Sequence, residues 1–434
     1  MSNVRSAVTD ELDFYGLSTP MELVETYGSP LYVYNENVLR RRCRELKGLS
    51  SHPGFRVNYS AKANANLSLL RIIRSEGLVV DAMSPGEIAM HLAAGFTPDE
   101  ITYVCNNVSA EELRNAVDHG LLVSVDSLPQ LDLLGQVNPG GKVMIRINPG
   151  IGAGHHKKVV TGGKETKFGI GPDDGDAVRR ILKRHNLTLA GLNQHIGSLF
   201  MEPDSYMEAV EFLLREAEQW DSLEVIDFGG GFGIPYRKYE KQPRLDMEAT
   251  GRMLDDCIGR WAERTGYNGR FMIEPGRYVT AECGVVLGTV HAVKNNGERR
   301  FAGTDLGFNV LQRPVMYDAF HDVEIYREDG VPQQETMQQT IVGNICESGD
   351  IMAAARELPE IQEGDIIAML DAGAYGFAMS SSYNQRLRPA EVLVDKDGRD
   401  RLIRRRETLD DLLACFPEHA EKTGGSVRVA GGRG

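Results

Sequence analysis

Residues 55–64, FRVNYSAKAN, decide how this chain is read. A short strand-like run, Val57–Ser60, gives way to Lys62, a lysine set among small residues. Outward from it the same texture repeats. Candidate strands are Val57–Ser60, Val79–Ala82, Thr102–Val104, Leu122–Val125, Val143–Ile147, Leu189–His195, Glu224–Phe228 and Phe271–Glu274. The leading five begin at 57, 79, 102, 122 and 143, a spacing that fits one strand plus one helix. Leu67, Leu70 and Ile73 share one helical face after the first of them. Ser109 with Glu112 reads as a capping box ahead of Leu113, Ala116 and Val117, and Gly120 closes that helix. Eight strands alternating with helices read as a (β/α)8 TIM barrel, an α/β fold, rather than an open doubly wound sheet.

Beyond residue 285 the pattern changes. VVLGTVHAVKN (285–295), RRFAGTDLG (299–307), DVEIYRE (322–328), TMQQTIVGN (336–344), DIIAMLDAG (365–373) and AEVLVDKDG (390–398) read as strands separated by Gly, Asp and Pro turns. The expected organisation is a barrel over 36–284 and a C-terminal, mostly antiparallel β domain over 285–423, a sandwich or Greek-key barrel. Residues 1–35 should pack on that second domain, with Leu31–Tyr34 pairing into it. The Gly-rich tail 424–434 is expected to be disordered.

Composition narrows the function classes. Acidic residues outnumber basic ones, 62 to 48, for a formal charge of −14, which argues against a general affinity for nucleic acid or an anionic membrane. There is no run of about 18 apolar residues to form a transmembrane helix, and the first residues, MSNVRSAVTDELDFYG, lack the apolar core of a signal peptide. The six cysteines show no CxxC spacing, so neither a zinc site nor a disulfide framework is expected, and a reducing cytoplasm suits them.

The polar and Gly-rich clusters fall where barrel enzymes keep their chemistry, at the C-terminal ends of strands. Ser60–Asn64 follows the first strand, Arg146 and Asn148 the fifth, His195–Ser198 the sixth, Gly229–Gly231 the seventh, and Glu274–Arg277 the eighth. A tight turn alone would account for the glycines. Together with Gly276 and Arg277 on the adjacent strand, they read as an anion cradle of backbone N–H groups. Most lysines are solvated, but one placed as Lys62 is suits Schiff-base chemistry. A lysine, a phosphate cradle and a carboxylate, Glu274, are the three things pyridoxal phosphate needs. His195 is placed to stack on such a ring.

On these residues the chain resembles the alanine-racemase-like, fold type III pyridoxal-phosphate decarboxylases, and among them the diaminopimelate decarboxylases. The matching segments are NYSAKAN (58–64), DAMSPGE (81–87), TGGKETKFGI (161–170), HIGS (195–198), DFGGGFGIPY (227–236), EPGR (274–277), QRPVMYDAFH (312–321), CESGD (346–350) and GAYGFAMSSSYN (373–384). The resemblance implies a homodimer with shared active sites that decarboxylates a small amino acid, with meso-diaminopimelate to L-lysine the expected reaction. It implies that Lys62 bonds the cofactor, His195 stacks on it, Gly231 with Gly276 and Arg277 holds the phosphate region, Glu274 meets the ring nitrogen, and Tyr375 reaches the cofactor. Cys346, the expected proton donor, and Glu347, which would take the distal amine, would come from the other subunit. Arg313 and Tyr317, with Arg277, would clamp a distal carboxylate.

Two departures bear on the substrate. Cys105-Asn106-Asn107-Val108-Ser109 stands where many diaminopimelate decarboxylases read GNNKS, and GAGHHKKVVTGG (152–163) replaces the more usual THPYISTG, leaving His155 and His156 without a role. A decarboxylase for another basic, D-configured or carrier-linked amino acid therefore stays open. So does a non-catalytic regulator on the same fold, although such proteins lose cofactor residues that this chain keeps.

Overall fold

The computed structural model describes residues 8–150, 153–154, 167–328 and 336–418. His155, His156 and the tail 424–434 lie outside them. Eight parallel strands close a barrel in the order Phe55–Ser60, Val79–Ala82, Ile101–Val104, Leu122–Val125, Lys142–Arg146, Thr188–Asn193, Val225–Asp227 and Arg270–Ile273, the last returning to the first. Strands enclosed on both sides need apolar side chains on both faces. Val57, Tyr59, Val80, Ile101, Tyr103, Val123, Ile145, Leu192, Ile226 and Phe271 are accordingly buried.

The helices between strands carry readable signals. Asn66 caps the helix Leu67–Ser75 by accepting from the Ser68 N–H, and Leu69, Leu70, Ile72 and Ile73 are its buried residues. Ser109 caps Ala110–Asp118 by accepting from the Glu112 N–H. The reciprocal half of the expected capping box is replaced: Glu112 Oε1 accepts from the Tyr103 hydroxyl at 2.7 Å, tying the helix to the barrel wall.

Among the described residues the second unit is a nine-stranded sheet. Leu31–Asn35 lies inside it, antiparallel to Gly284–Asn296 and parallel to Ala390–Val394. The chain thus enters through the second domain, forms the barrel, and returns. Most pairings are antiparallel; Leu31–Asn35 with Ala390–Val394 and Arg299–Thr304 with Thr336–Val342 are the parallel ones. The units are bonded at the rim: the Tyr375 N–H donates to the Ala63 carbonyl at 2.8 Å, and Asn64 Nδ2 to the Gly373 carbonyl at 2.9 Å.

Candidate active site

The strand Phe55–Ser60 hands over to a single 3-10 turn, Ala61–Ala63, so Lys62 emerges at the C-terminal rim of the barrel. The next strand pins that turn. Asp81 accepts from the Ser60 hydroxyl at 2.7 Å and from the Ala61 N–H at 2.9 Å. Ala61 and Ala63 are buried while Lys62 is exposed, and it lines a cavity shared with His195, Gly231, Glu274, Gly276, Arg277, Arg313, Tyr317 and Tyr375. Tyr375 reaches the cavity from the second domain with φ of 56°, a left-handed conformation unusual for a tyrosine and held here by its bond to Ala63.

Glu274 follows the last barrel strand and donates its N–H to the Gly229 carbonyl at 2.9 Å. The two strand ends approach so closely that a Cβ on Gly230 would lie 1.9 Å from the Glu274 carbonyl oxygen, which only glycine permits. Glu274 is buried, and its Oε1 has no hydrogen-bond partner. Burial, then the neighbouring carboxylates Asp227 and Asp81, push its carboxyl well above the usual range against the pull of Lys62 and Arg146. Asp227, whose Oδ1 accepts from the Gly229 N–H at 2.9 Å, is itself pushed up to about 7 by burial.

His195 accepts from the Gly230 N–H at 3.1 Å through Nδ1, which places its proton on Nε2. Burial and the charges of Lys62 and Arg146 hold its imidazolium well below the usual histidine range, so the ring is neutral. A neutral aromatic ring beside a cavity can stack on a ligand without adding charge.

Two guanidiniums face the same cavity. Arg277 donates to the Tyr236 hydroxyl at 2.8 Å and to the Ser198 hydroxyl at 3.0 Å, with its guanidinium 5.0 Å from the Tyr375 ring centre. Arg313 donates to His321 Nε2 at 2.8 Å. It is only 1% exposed, whereas a side chain ahead of a proline turn would ordinarily be solvated. Burial, reinforced by Arg277, pulls it down to about 10, so it stays charged at neutral pH. Neither guanidinium has a carboxylate partner among the described residues.

These features fit pyridoxal phosphate. Glu274 Oε1 is a buried, unpartnered oxygen suited to a ring nitrogen. A Cβ on Gly231, at φ of 110°, would meet the Gly197 carbonyl at 2.6 Å, and one on Gly276 would meet Ser60 at 3.1 Å, so a side chain is disfavoured at both positions, and both line the cavity where an anion would sit. Lys62, His195, Gly231, Glu274, Gly276, Arg277 and Tyr375 are the residues that would hold the cofactor.

Residues 37–281 match the family model described as the pyridoxal binding domain of pyridoxal-dependent decarboxylases. The chain is 42% identical over 407 residues to the diaminopimelate decarboxylase of Methanothermobacter thermautotrophicus, covering 92% of this chain and 94% of that one. The chain belongs to the diaminopimelate decarboxylase family. It is also 36% identical to the Escherichia coli K12 member over 91% of this chain and 95% of that one. The solved Helicobacter pylori diaminopimelate decarboxylase, complexed with L-lysine, superposes with a TM-score of 0.84 at 29% identity, covering 94% of this chain and 100% of that one.

Cys346 and Glu347 do not join the cavity of their own chain. Both are exposed; the Cys346 N–H donates to Asn384 Oδ1 at 2.9 Å, and Glu347 accepts from the Tyr383 hydroxyl at 2.8 Å. Sequence reading alone gave no role to Tyr236, Asp81, Asp227 or His321. All four stand inside the segments that carry the resemblance, but nothing in their spacing reveals which contacts they make.

Proposed function

We propose that this family member is a pyridoxal-phosphate-dependent carboxy-lyase that converts meso-diaminopimelate to L-lysine and carbon dioxide. The observation that carries the substrate is the pair of buried, carboxylate-free guanidiniums, Arg277 and Arg313, opening on the Lys62 cavity. An isolated buried cation is costly, so a pair of them is stabilised by an anionic ligand. A substrate with carboxylates at both ends satisfies that demand better than ornithine or arginine, whose far ends are cationic.

Bound cofactor supplies an electron sink for the pair left behind as carbon dioxide departs. Lys62 Nζ would hold the cofactor at the mouth of the barrel. Glu274, with its unpartnered Oε1, would meet the ring nitrogen and favour its protonated form. Neutral His195 would pack against the ring. Gly231 and Gly276, with Arg277 alongside, would hold the phosphate region. To leave L-lysine, the carboxylate lost must be that of the D centre, so the L-centre carboxylate is the one retained. Arg313, with Tyr317 and Arg277, anchors it there.

The reaction must end with a proton delivered to the decarboxylated carbon. Cys346 is our assignment for that donor and Glu347 for the distal amine, both supplied by a second copy of the chain across a homodimer, since neither reaches its own cavity. All six cysteines are free thiols, in keeping with a cytoplasmic enzyme, and among the described residues no helix is long and apolar enough to cross a membrane.

The test is carbon dioxide release by the holoenzyme across meso-diaminopimelate, lysine, ornithine and arginine. Turnover strongly favouring diaminopimelate over the other three is expected. Preferential turnover of ornithine or arginine, or a protein that binds no cofactor, would overturn the proposal.

A further inference from the structure

His321 is fully buried eight residues beyond Arg313. Its two ring nitrogens have partners of opposite kind. Nδ1 lies 2.6 Å from the Leu370 carbonyl, which can only accept, so Nδ1 carries the proton. Nε2 therefore presents a lone pair, 2.8 Å from Arg313 Nη1, which can only donate. The two contacts together fix a neutral ring in one tautomer. Burial, followed by the charge of Arg313, opposes its protonation, and the ring edge packs on Tyr236 with centroids 5.4 Å apart.

Buried arginines are ordinarily paired with carboxylates. Here the neighbouring acids are engaged elsewhere. Asp371 is paired with Lys238, and Glu282 with Arg244 and Arg42. The Arg313 guanidinium instead lies 4.6 Å from the centre of the Tyr236 ring and against His321, neither of them a carboxylate. An acid at 321 would hold the guanidinium equally well but consume its charge.

We propose that His321 is a positioning residue that determines substrate specificity: as a neutral acceptor it aims Arg313 into the cavity and leaves its full charge for a substrate carboxylate. This rests on the decarboxylase reading above. It extends that reading to a residue that does not line the cavity and acts only through Arg313.

The test compares holoenzyme carrying His321→Gln, which keeps a neutral acceptor, with His321→Glu, which adds an anion. KM and kcat are measured on meso-diaminopimelate. Binding of L-lysine and of pentane-1,5-diamine is measured by calorimetry; the former retains the carboxylate that Arg313 would hold and the latter has none. His321→Glu should raise KM and weaken L-lysine each by about 30-fold, with kcat and diamine affinity held within about three-fold. His321→Gln should stay within about three-fold of wild type on all four. Should His321→Glu fail to fold, His321→Leu takes its place: it removes the acceptor and should raise KM about ten-fold at unchanged kcat.

Equal losses in the Gln and Glu variants would make His321 a space-filling residue and overturn the inference. So would losses that fall on kcat, or on the diamine as heavily as on lysine. If wild type turns over diaminopimelate and no variant separates the ligands, the inference fails alone. If wild type does not act on diaminopimelate, the reading of the site fails and the inference goes with it.

Discussion

The guanidinium of Arg313 lies 4.6 Å from the centre of the Tyr236 ring, whose hydroxyl accepts from Arg277 at 2.8 Å. One tyrosine thus holds two cations without neutralising either. If Arg313 pairs with the distal carboxylate, Arg313→Ala leaves that anion unpaired at a cost of roughly 2–5 kcal/mol in transition-state binding. That is about 30-fold to several thousand-fold in kcat/KM on diaminopimelate. Lysine or ornithine as substrate, with only an amine at the far end, should lose far less, and the cofactor absorption should not change. Measuring kcat/KM on both substrate types decides it. An equal loss on both would reassign Arg313 to the support of fold or cofactor.

Among the described residues Lys62 is the lysine that lines the cavity, held on the turn that Asp81 pins. Lys62→Ala should abolish nearly all turnover and the borohydride-trappable bond between protein and cofactor. Cofactor retained through the glycines and Arg277 would then dialyse away. Peptide mass spectrometry after reduction is the check. A trapped cofactor on another lysine of the variant would show the assignment to be wrong.

Much of this fold is legible in the sequence because its signals are local. Eight strands, each short and apolar, stand out between helices with ordinary caps such as Asn66 and Ser109. Strand ends are less legible, since pairing rather than composition sets them: the candidate Leu189–His195 stops at Asn193, where the chain bends to bring His195 under Gly230. No strand is evident in IMAAARELP from its composition, because alanine favours helix. Residues Ile351–Pro359 are a strand through their pairing with Thr336–Val342. In the site, Lys62, Glu274 and the glycines are legible from motif position. The supports are not: Asp81 beneath the Lys62 turn, Tyr236 between the arginines and His321 behind Arg313 all depend on contacts between segments distant in sequence or between turns of the chain.

Cys346 is exposed and outside its own chain's cavity. If a second subunit brings it to the site, Lys62→Ala and Cys346→Ala proteins should each be nearly inactive alone. Mixed under conditions of demonstrated subunit exchange, they should regain activity, because a heterodimer contains one site with both residues intact. Absence of recovery would remove Cys346 from a shared site.

Glu282, 3% exposed, anchors Arg244 through two bonds of 2.8 and 2.7 Å and meets Arg42 at 2.9 Å. Burial raises its carboxyl, but Arg244, Lys238 and Arg42 together overcome that and hold it down at about 2, below its ordinary 4.5. A depressed acid stabilises the fold above its unfolded value and loses that stabilisation as pH falls through the folded one. Glu282→Gln should therefore destabilise the protein by about 3–5 kcal/mol at neutral pH by stranding buried cations. The gap to wild type should narrow as pH drops from 4.5 towards 2. Urea midpoints across that range would show it, and a gap independent of pH would mean that the charge of Glu282 is not what stabilises the fold.

The most direct measurement supplies the holoenzyme with meso-diaminopimelate carrying carbon-13 in the D-centre carboxylate alone. If Lys62 presents the cofactor to the D centre while Arg313 anchors the L-centre carboxylate, all label should leave as carbon dioxide, one molecule for each L-lysine formed, and the lysine should be unlabelled. Label retained in lysine, or D-lysine as product, would place the wrong end of the substrate at Arg313 and contradict the account.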